Sequence, residues 1–396
     1  MKDKTLRILD YIIEYSLYFL IFFLPISKAP LQVFSGIAFV AFIIKKILMP
    51  DFRFLKTPLH YCLFVFVFFS LLSLFNAGPL IDKALTAFFL KWMKYIGIFL
   101  FFEDTFLTRK RIRNVLIILF VSSALVGIDG LVQKFSGVDF IRGWKLIPVI
   151  PPAYGVNASF NHYNDFGAYL IVILPLVIAL SISGRLNKIS FIALIGLEIL
   201  LSVCLMFTFS RGAWLGFVLT MCFMLILSSR NMARKMVFLI PFFIGMLVLV
   251  PGLWDRLIFT FTPRGDADRI KVWHTAFLMI KESPFLGKGV GLFMDNFSRL
   301  SDLNTQYTHN CYLQIWAETG IFALLGFLGF IGVLLVNGIK AFKSNQNFLL
   351  LGLVCGLFGF LVHSFFDTQL YSIQTSMLFW SMAGILSVLS VKQIQV

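Results

Sequence analysis

His309 opens the run His309-Asn310-Cys311-Tyr312-Leu313-Gln314-Ile315-Trp316-Ala317-Glu318-Thr319-Gly320, after a polar stretch from Trp254 to Thr308 and before a long apolar one. That position is the mouth of a membrane helix, where an ionisable ring is costly unless it is used. An imidazole, with an unperturbed pKa of about 6.5, suits a general base near neutral pH. Arg211 stands between apolar runs in Phe209-Ser210-Arg211-Gly212-Ala213-Trp214-Leu215. Ser210 can cap a helix there, and the helix's free N–H groups and positive end already favour an anion. A guanidinium adds a bidentate fork for phosphate oxygens. A base and a fixed cation at one membrane face point to chemistry on an anionic lipid. The plainer readings are a His that caps or packs at the interface and an Arg that snorkels to it.

Other polar residues cluster near the same face. Asn161, His162 and Asn164, followed by Asp165, form a polar knot before an apolar run. Their amide and imidazole groups suit sugar hydroxyls, as does that of Asn310, while Asn164 or Asp165 also suits a helix cap. On a helix starting at His309, Tyr312, Leu313, Trp316 and Gly320 would share its face, and Gly320 would admit a lipid chain or a neighbouring helix. Cys311 would point about 200° away, so a Cys–His nucleophile is disfavoured. Ile270, Trp273, Phe277 and Ile280 mark the apolar side of an amphipathic helix lying on the membrane or the bundle. The Gly-rich turn after it, Pro284–Gly291, follows no strand and is no nucleotide loop. Asn157-Ala158-Ser159 matches a glycosylation sequon, a short and weak signal. Glu198 and Glu318 are acids inside apolar runs, suited to pairing with Lys91 or Lys94, or to a proton route in a transporter.

The elements that must position these residues are membrane helices. Apolar residues make up 59% of the 396, charged ones 13%, and Phe occurs 48 times, a composition that demands a polytopic membrane protein. About twelve spans of near-bilayer length are expected: Asp10–Ser27, Leu31–Met49, Leu59–Phe75, Ala84–Phe102, Val115–Phe135, Asp165–Ser183, Ile189–Phe209, Ala213–Ser228, Met236–Val250, Tyr312–Val336, Phe348–Phe366 and Tyr371–Val391. Lys91 and Lys94 interrupt the fourth. The first run lacks a cleavage site and reads as a span. Basic residues gather in alternate connections, which places both termini in the cytoplasm. The formal net charge of +15 reflects this bias rather than nucleic-acid binding. A single membrane domain over residues 1–396 is expected, with a large external loop from Pro251 to Asn310. That loop carries seven Lys and Arg residues on the wrong side for the rule, either for a ligand or balanced by its own acids. Five scattered cysteines suggest neither a disulfide nor a metal site.

These residues resemble the O-antigen ligase and polymerase superfamily. The ligase pattern of Arg, three residues, then Leu fits Arg211 and Leu215. The pattern of His, a small polar residue, nine residues, then Gly fits His309, Asn310 and Gly320, and Ala323 stands where the family often has another small residue or Tyr. Arg269 before Trp273 and Pro284–Gly287 looks like the family's loop. Phe160–Asn164 and His363-Ser364-Phe365-Phe366-Asp367 resemble its flanking segments. The resemblance covers roughly Tyr154 to Gly384. It implies an all-α, GT-C-like bundle with a partly helical external loop, acting as a metal-independent inverting glycosyltransferase in the bacterial inner membrane with its site periplasmic. The implied donor is a glycan on undecaprenyl diphosphate, the acceptor lipid A–core or another glycan, and the surroundings membrane lipids, with no cofactor. His309 would be the general base. Arg211 and Arg269, with Arg264 close by in the loop, would hold the diphosphate, where fixed cations favour the transition state.

The ligase and polymerase branches share donor and chemistry; the His309–Gly320 pattern favours the ligase. A transporter or flippase would need an ion-coupled path, and the sequence displays no broken helix with paired acids. A non-catalytic scaffold leaves His309 and the external cations without a purpose.

Overall fold

The structure, a computed structural model, describes residues 2–51, 57–150, 153–229, 252, 256, 258, 267–300 and 307–392. It is a helical membrane bundle, as expected. In chain order the helices are α1 (Lys2–Phe23), α2 (Lys28–Leu48), α3 (Pro58–Leu72), α4 (Ile81–Ala87), α5 (Lys94–Thr105), α6 (Arg109–Ser136), α7 (Tyr163–Ile182), α8 (Lys188–Phe207) and α9 (Arg211–Leu227), followed by α10 (Ala267–Glu282), α11 (Phe293–Phe297), α12 (Cys311–Asn345), α13 (Phe348–His363) and α14 (Ile373–Lys392). Phe88–Met93 is wound as a π-helix that joins α4 to α5. Eight of the helical stretches are long and apolar enough to cross a membrane, and α9 and α13 are shorter apolar helices. Eleven of the twelve expected spans fall on described helices. The ninth, Met236–Val250, lies outside the described residues. An all-α reading misses one small feature, an antiparallel pair of strands, β1 (Ile147–Ile150) and β2 (Ala153–Gly155).

Close packing in a bilayer relies on small residues, because lipid tails supply no hydrophobic drive between helices. α13 shows this in the stripe Gly352, Gly356, Gly359. A methyl group there would meet Leu176 Cα at 2.7 Å, Val172 O at 2.5 Å and Thr220 Oγ1 at 2.2 Å. The stripe therefore seats α13 directly on α7 and α9. In consequence the C-terminal end of α13 meets the N-terminal ends of α7 and α9.

Buried and half-buried charges are held in pairs at both ends of the bundle. At one, Lys45 bonds Asp10 at 2.7 Å and Asp104 at 2.6 Å, Lys46 bonds Asp104 at 2.7 Å, and Arg111 bonds Glu14 at 2.8 Å. Several of the basic residues that mark this end in the sequence are thus held in ion pairs. Glu103, also at this end, bonds His60 and Ser387.

α12 is broken. Gly320 has φ 82° and ψ 172°, a region open in practice to glycine alone. A Cβ there would stand 2.0 Å from Phe285 O. The break frees helix carbonyls, and the preceding loop satisfies them: Lys288 N donates to Ala317 O at 3.0 Å and Gly289 N to Glu318 O at 2.9 Å, while Ile321 N donates to Pro284 O at 3.0 Å. Trp316 Nε1 donates to the same Pro284 oxygen at 3.0 Å. Gly320 therefore admits a turn of backbone, not a lipid chain or a helix.

The amphipathic helix also needs correction. α10 packs on α12 and α11 through Val272, Ala276 and Met279 against Leu313, Ala317 and Phe297. Of the expected face, Ile280 is buried and Trp273 half-buried, but Ile270 and Phe277 are 65% and 48% exposed. The contact with α12 selects a face rotated from the most apolar one.

Gly320→Ala should lower the stability of the detergent-solubilised protein by more than the roughly 1–3 kcal/mol of backbone strain alone, because the methyl also meets the Pro284–Gly287 turn. Gly332→Ala, with nothing within 4 Å of the added methyl, should not destabilise. Thermal unfolding followed by tryptophan fluorescence checks both, and equal midpoints for the two variants would contradict the assigned break.

Candidate functional site

The site is built where α7, α9 and α12 begin and α13 ends. His309 lies outside α12, since Asn310 is the N-cap, its side-chain oxygen accepting from Leu313 N at 2.9 Å. The helical face projected from His309 therefore does not apply. His309 has φ 54°, a left-handed conformation uncommon for a non-glycine residue. Phe209 shares that φ, and it directly precedes Ser210, the N-cap of α9. In both places a left-handed residue turns the chain sharply into a helix start.

Asp367, four residues beyond α13, connects these starts. His309 Nδ1 lies 3.1 Å from Asp367 Oδ1, which also accepts from Thr368 N at 2.8 Å. Asn164 Nδ2 donates to Asp367 Oδ2 at 2.5 Å. The Asn164 oxygen in turn accepts from Ser210 Oγ at 2.8 Å, and Ser210 Oγ accepts from Ala213 N at 3.4 Å. One hydrogen-bonded chain thus runs from His309 to the first turn of the helix that begins with Arg211. Burial pushes the Asp367 carboxyl up, but the His309 bond and the nearby His309, His363 and His162 rings outweigh it and hold the group well below the usual carboxylate range. An ionised carboxylate only accepts, so Nδ1 of His309 carries the proton of that bond and Nε2 is left as the basic nitrogen.

The cations stand on the same side. Arg211, Arg256 and Arg269 all act electrostatically on the Tyr163 phenol, and Arg269 also acts on His162 and His363. Arg256 Nε donates to Phe209 O at 3.3 Å. Arg269 sits at the start of α10, which is pinned to the His309 segment by a bond from Trp273 Nε1 to Thr308 O of 2.9 Å. The bare backbone of Gly212 faces the His363 ring, which a methyl would approach to 2.8 Å.

Of the residues singled out in the sequence, His309, Arg211, Arg269, His162 and Asn164 converge here. His162 rather than Asn164 or Asp165 caps α7, its Nδ1 accepting from Asn164 N at 3.1 Å. Burial holds the His162 pKa below the imidazole norm; Asp367 opposes this, while His309 and Arg269 add to it. Asn161 is exposed and stands apart from the hydrogen-bonded chain. Asn310 is buried and its oxygen is used in capping. Arg264 lies outside the described residues. The sequon Asn157 is buried, bonded to Gln133 and to Phe160 O, which leaves no room for a glycan. Cys311 is buried, with its thiol toward Asp367 O. Asp367 and Arg256 carried no assigned role from the sequence, although Asp367 closes the segment His363–Asp367 that drew notice there.

Glu318 and Glu198 are separate from this chain of bonds. Glu318 accepts from Gln314 Nε2 at 3.1 Å, Gly291 N at 3.0 Å and Tyr371 OH at 3.2 Å. Neither Lys91 nor Lys94 forms an ion pair with either acid among the described residues.

Residues 196–328 match the family model described as O-antigen ligase, which supports that superfamily for this chain. The matched stretch covers about a third of the 396 residues. It holds Arg211, Arg269 and His309, whereas Asn164 and Asp367 lie on either side of it. No curated protein matches the chain.

The depressed Asp367 pKa fixes the sign of one acid effect. The unfolded group titrates near 3.9, so its stabilisation is complete above about pH 4 and is lost as pH falls from there toward the folded value. Asp367→Asn should remove that part of the acid loss and, with donors left facing an amide, cost about 1–3 kcal/mol at pH 7. Thermal midpoints of both proteins between pH 3 and 7 check this, and a variant as stable as wild type at pH 7 would contradict the bonding described.

Proposed function

We propose that the protein is an O-antigen ligase-like glycosyltransferase, moving a glycan from undecaprenyl diphosphate to a hydroxyl of lipid A–core or a similar acceptor. The observation that carries this reading is the His309–Asp367 pair, 3.1 Å apart, with the imidazole 40% exposed on the side of the bundle where Arg211, Arg256 and Arg269 gather. Asp367 accepts from the Nδ1 side of the ring and so fixes its orientation.

In this mechanism the acceptor oxygen attacks the anomeric carbon. Its proton passes to His309 Nε2, and the bond from the anomeric carbon to the lipid diphosphate breaks with inversion. The electron pair leaves on the bridging oxygen, where Arg211 and Arg269 stabilise the growing charge, together with the N-terminus of α9. The reaction takes place at the periplasmic face of the bacterial inner membrane, with both termini cytoplasmic.

His309→Ala should abolish transfer from a lipid-diphosphate donor in proteoliposomes without loss of folded protein. Activity within a few fold of wild type would remove His309 from the mechanism. Arg211→Lys should be strongly impaired and Arg211→Ala more so, by on the order of a hundred-fold or more, because a phosphate contact by Arg is bidentate and lysine lacks the fork. Normal transfer and normal photo-crosslinking to an undecaprenyl diphosphate analogue by Arg211→Lys would remove Arg211 from the leaving group.

The orientation is tested separately. In a background lacking Cys222, Ser298→Cys should react with a membrane-impermeant thiol reagent in intact cells with a permeable outer membrane, and Lys343→Cys should not. The reverse pattern would put the site in the cytoplasm.

A further inference from the structure

We propose that a cavity beside the His309 segment, lined by Lys91, Tyr307, Gln314, Glu318 and Tyr371, seats a saccharide ring of the acceptor. The inference rests on the glycosyltransferase reading above and adds the place where the second substrate binds. The cavity measures about 170 Å³, and Gly291, Phe293 and Met294 complete its wall. It is small against the roughly 300–1,000 Å³ of a drug-sized pocket. It therefore has room for about one sugar ring.

The lining fits a hydroxyl-rich ring. Tyr307 and Tyr371, with ring centroids 6.0 Å apart, offer flat apolar faces for its C–H groups, alongside Phe293. The Glu318 carboxylate is occupied by Gln314, Gly291 and Tyr371, so it holds these lining groups in fixed orientations. Lys91 interacts electrostatically with Glu318, yet among the described residues the two form no ion pair. An ammonium therefore faces an acid across an open cavity. With donors in Lys91 and Gln314 and acceptors in Glu318 and the tyrosine oxygens, the lining suits a hydroxyl-bearing ring. Lys91 is exposed and belongs to the π-wound stretch Phe88–Met93, and π turns are frequent at functional sites. A lysine within a membrane span is costly without such a use.

Position decides which substrate the ring belongs to. Tyr307 precedes His309 by two residues, Gln314 Oε1 accepts from Thr308 N at 3.1 Å, and Tyr371 follows Asp367 by four. The His309 segment is thus one wall of the cavity. The arginines act on Tyr163, His162 and His363. Tyr307, Glu318 and Tyr371 instead interact mainly with one another, Asp165, Cys311 and Lys91. In an inverting displacement the nucleophile arrives opposite the leaving group. With the diphosphate on the arginine flank, the flank of Lys91 and Glu318 is where the acceptor approaches.

The test uses the full chain in proteoliposomes and compares Lys91→Ala, which removes a donor, with Met294→Trp, which fills the cavity. Two reactions of the same lipid-diphosphate donor are followed: transfer to the acceptor glycan, and release of the glycan to water. Both variants should raise the apparent KM for acceptor by at least about tenfold, while donor hydrolysis stays within about twofold and the thermal midpoint is unchanged. An unaltered acceptor KM in both variants would overturn the subsite. Parallel loss of hydrolysis would also overturn it, by assigning the cavity to the donor. If wild type neither transfers nor hydrolyses, the glycosyltransferase reading itself fails, an outcome distinct from either.

Discussion

The site depends on one carboxylate. Asp367 accepts hydrogen bonds from His309, Thr368 and Asn164, groups that belong to three separate parts of the chain. Through its two oxygens the hydrogen-bonded chain passes from the start of α12 to the starts of α7 and α9. Its burial would normally favour the neutral acid. The surrounding imidazoles reverse that preference, so orienting His309 and ionising Asp367 are two aspects of the same arrangement.

The carboxylate can only be there because α13 sits unusually close to α7 and α9. Three glycines on one stripe let backbone meet backbone and side chain at contact distance, the small-residue solution to packing in a solvent that gives helices no apolar drive. The same solvent forbids loose backbone polar groups. The break at Gly320 obeys that rule, since the Pro284–Gly289 turn bonds the carbonyls that the break exposes. A broken helix beside a buried acid is a feature of ion-coupled transporters. Here the freed groups are met by protein backbone and the acid by Gln314, Gly291 and Tyr371, so the break serves packing.

Legibility followed the range of the interaction. Helix runs, the Ser210 cap before Arg211 and the position of His309 before an apolar run are local patterns, and they read correctly. The partner of His309 lies fifty-eight positions away, on a loop whose short polar segment resembles any helix end, and no spacing rule connects the two. The cap of α7 falls two or three residues before Asn164 or Asp165, because a histidine ring, weak by propensity, takes the Asn164 N–H itself. α10 turns Val272, Ala276 and Met279 to α12 and α11, with Ile280 and Trp273 of the expected apolar face beside them. Gly320 read as a point of close approach, but what approaches is a turn thirty-odd residues earlier, invisible to helical periodicity.

The segment Cys311–Thr319 behaves mechanically as a short rigid rod clamped at both ends. At its lip, α10 grips Thr308 through Trp273, and at its foot the turn Pro284–Gly289 grips Ala317, Glu318 and Ile321. Both grips come from the stretch 267–289, which also carries Arg269. The rod and that stretch are thus bonded to each other on both sides of Gly320, through Ala317 and Glu318 before it and Ile321 after it. A displacement of α10 therefore reaches His309 and Arg269 together, because Trp273 bonds Thr308 beside the one and the helix itself carries the other.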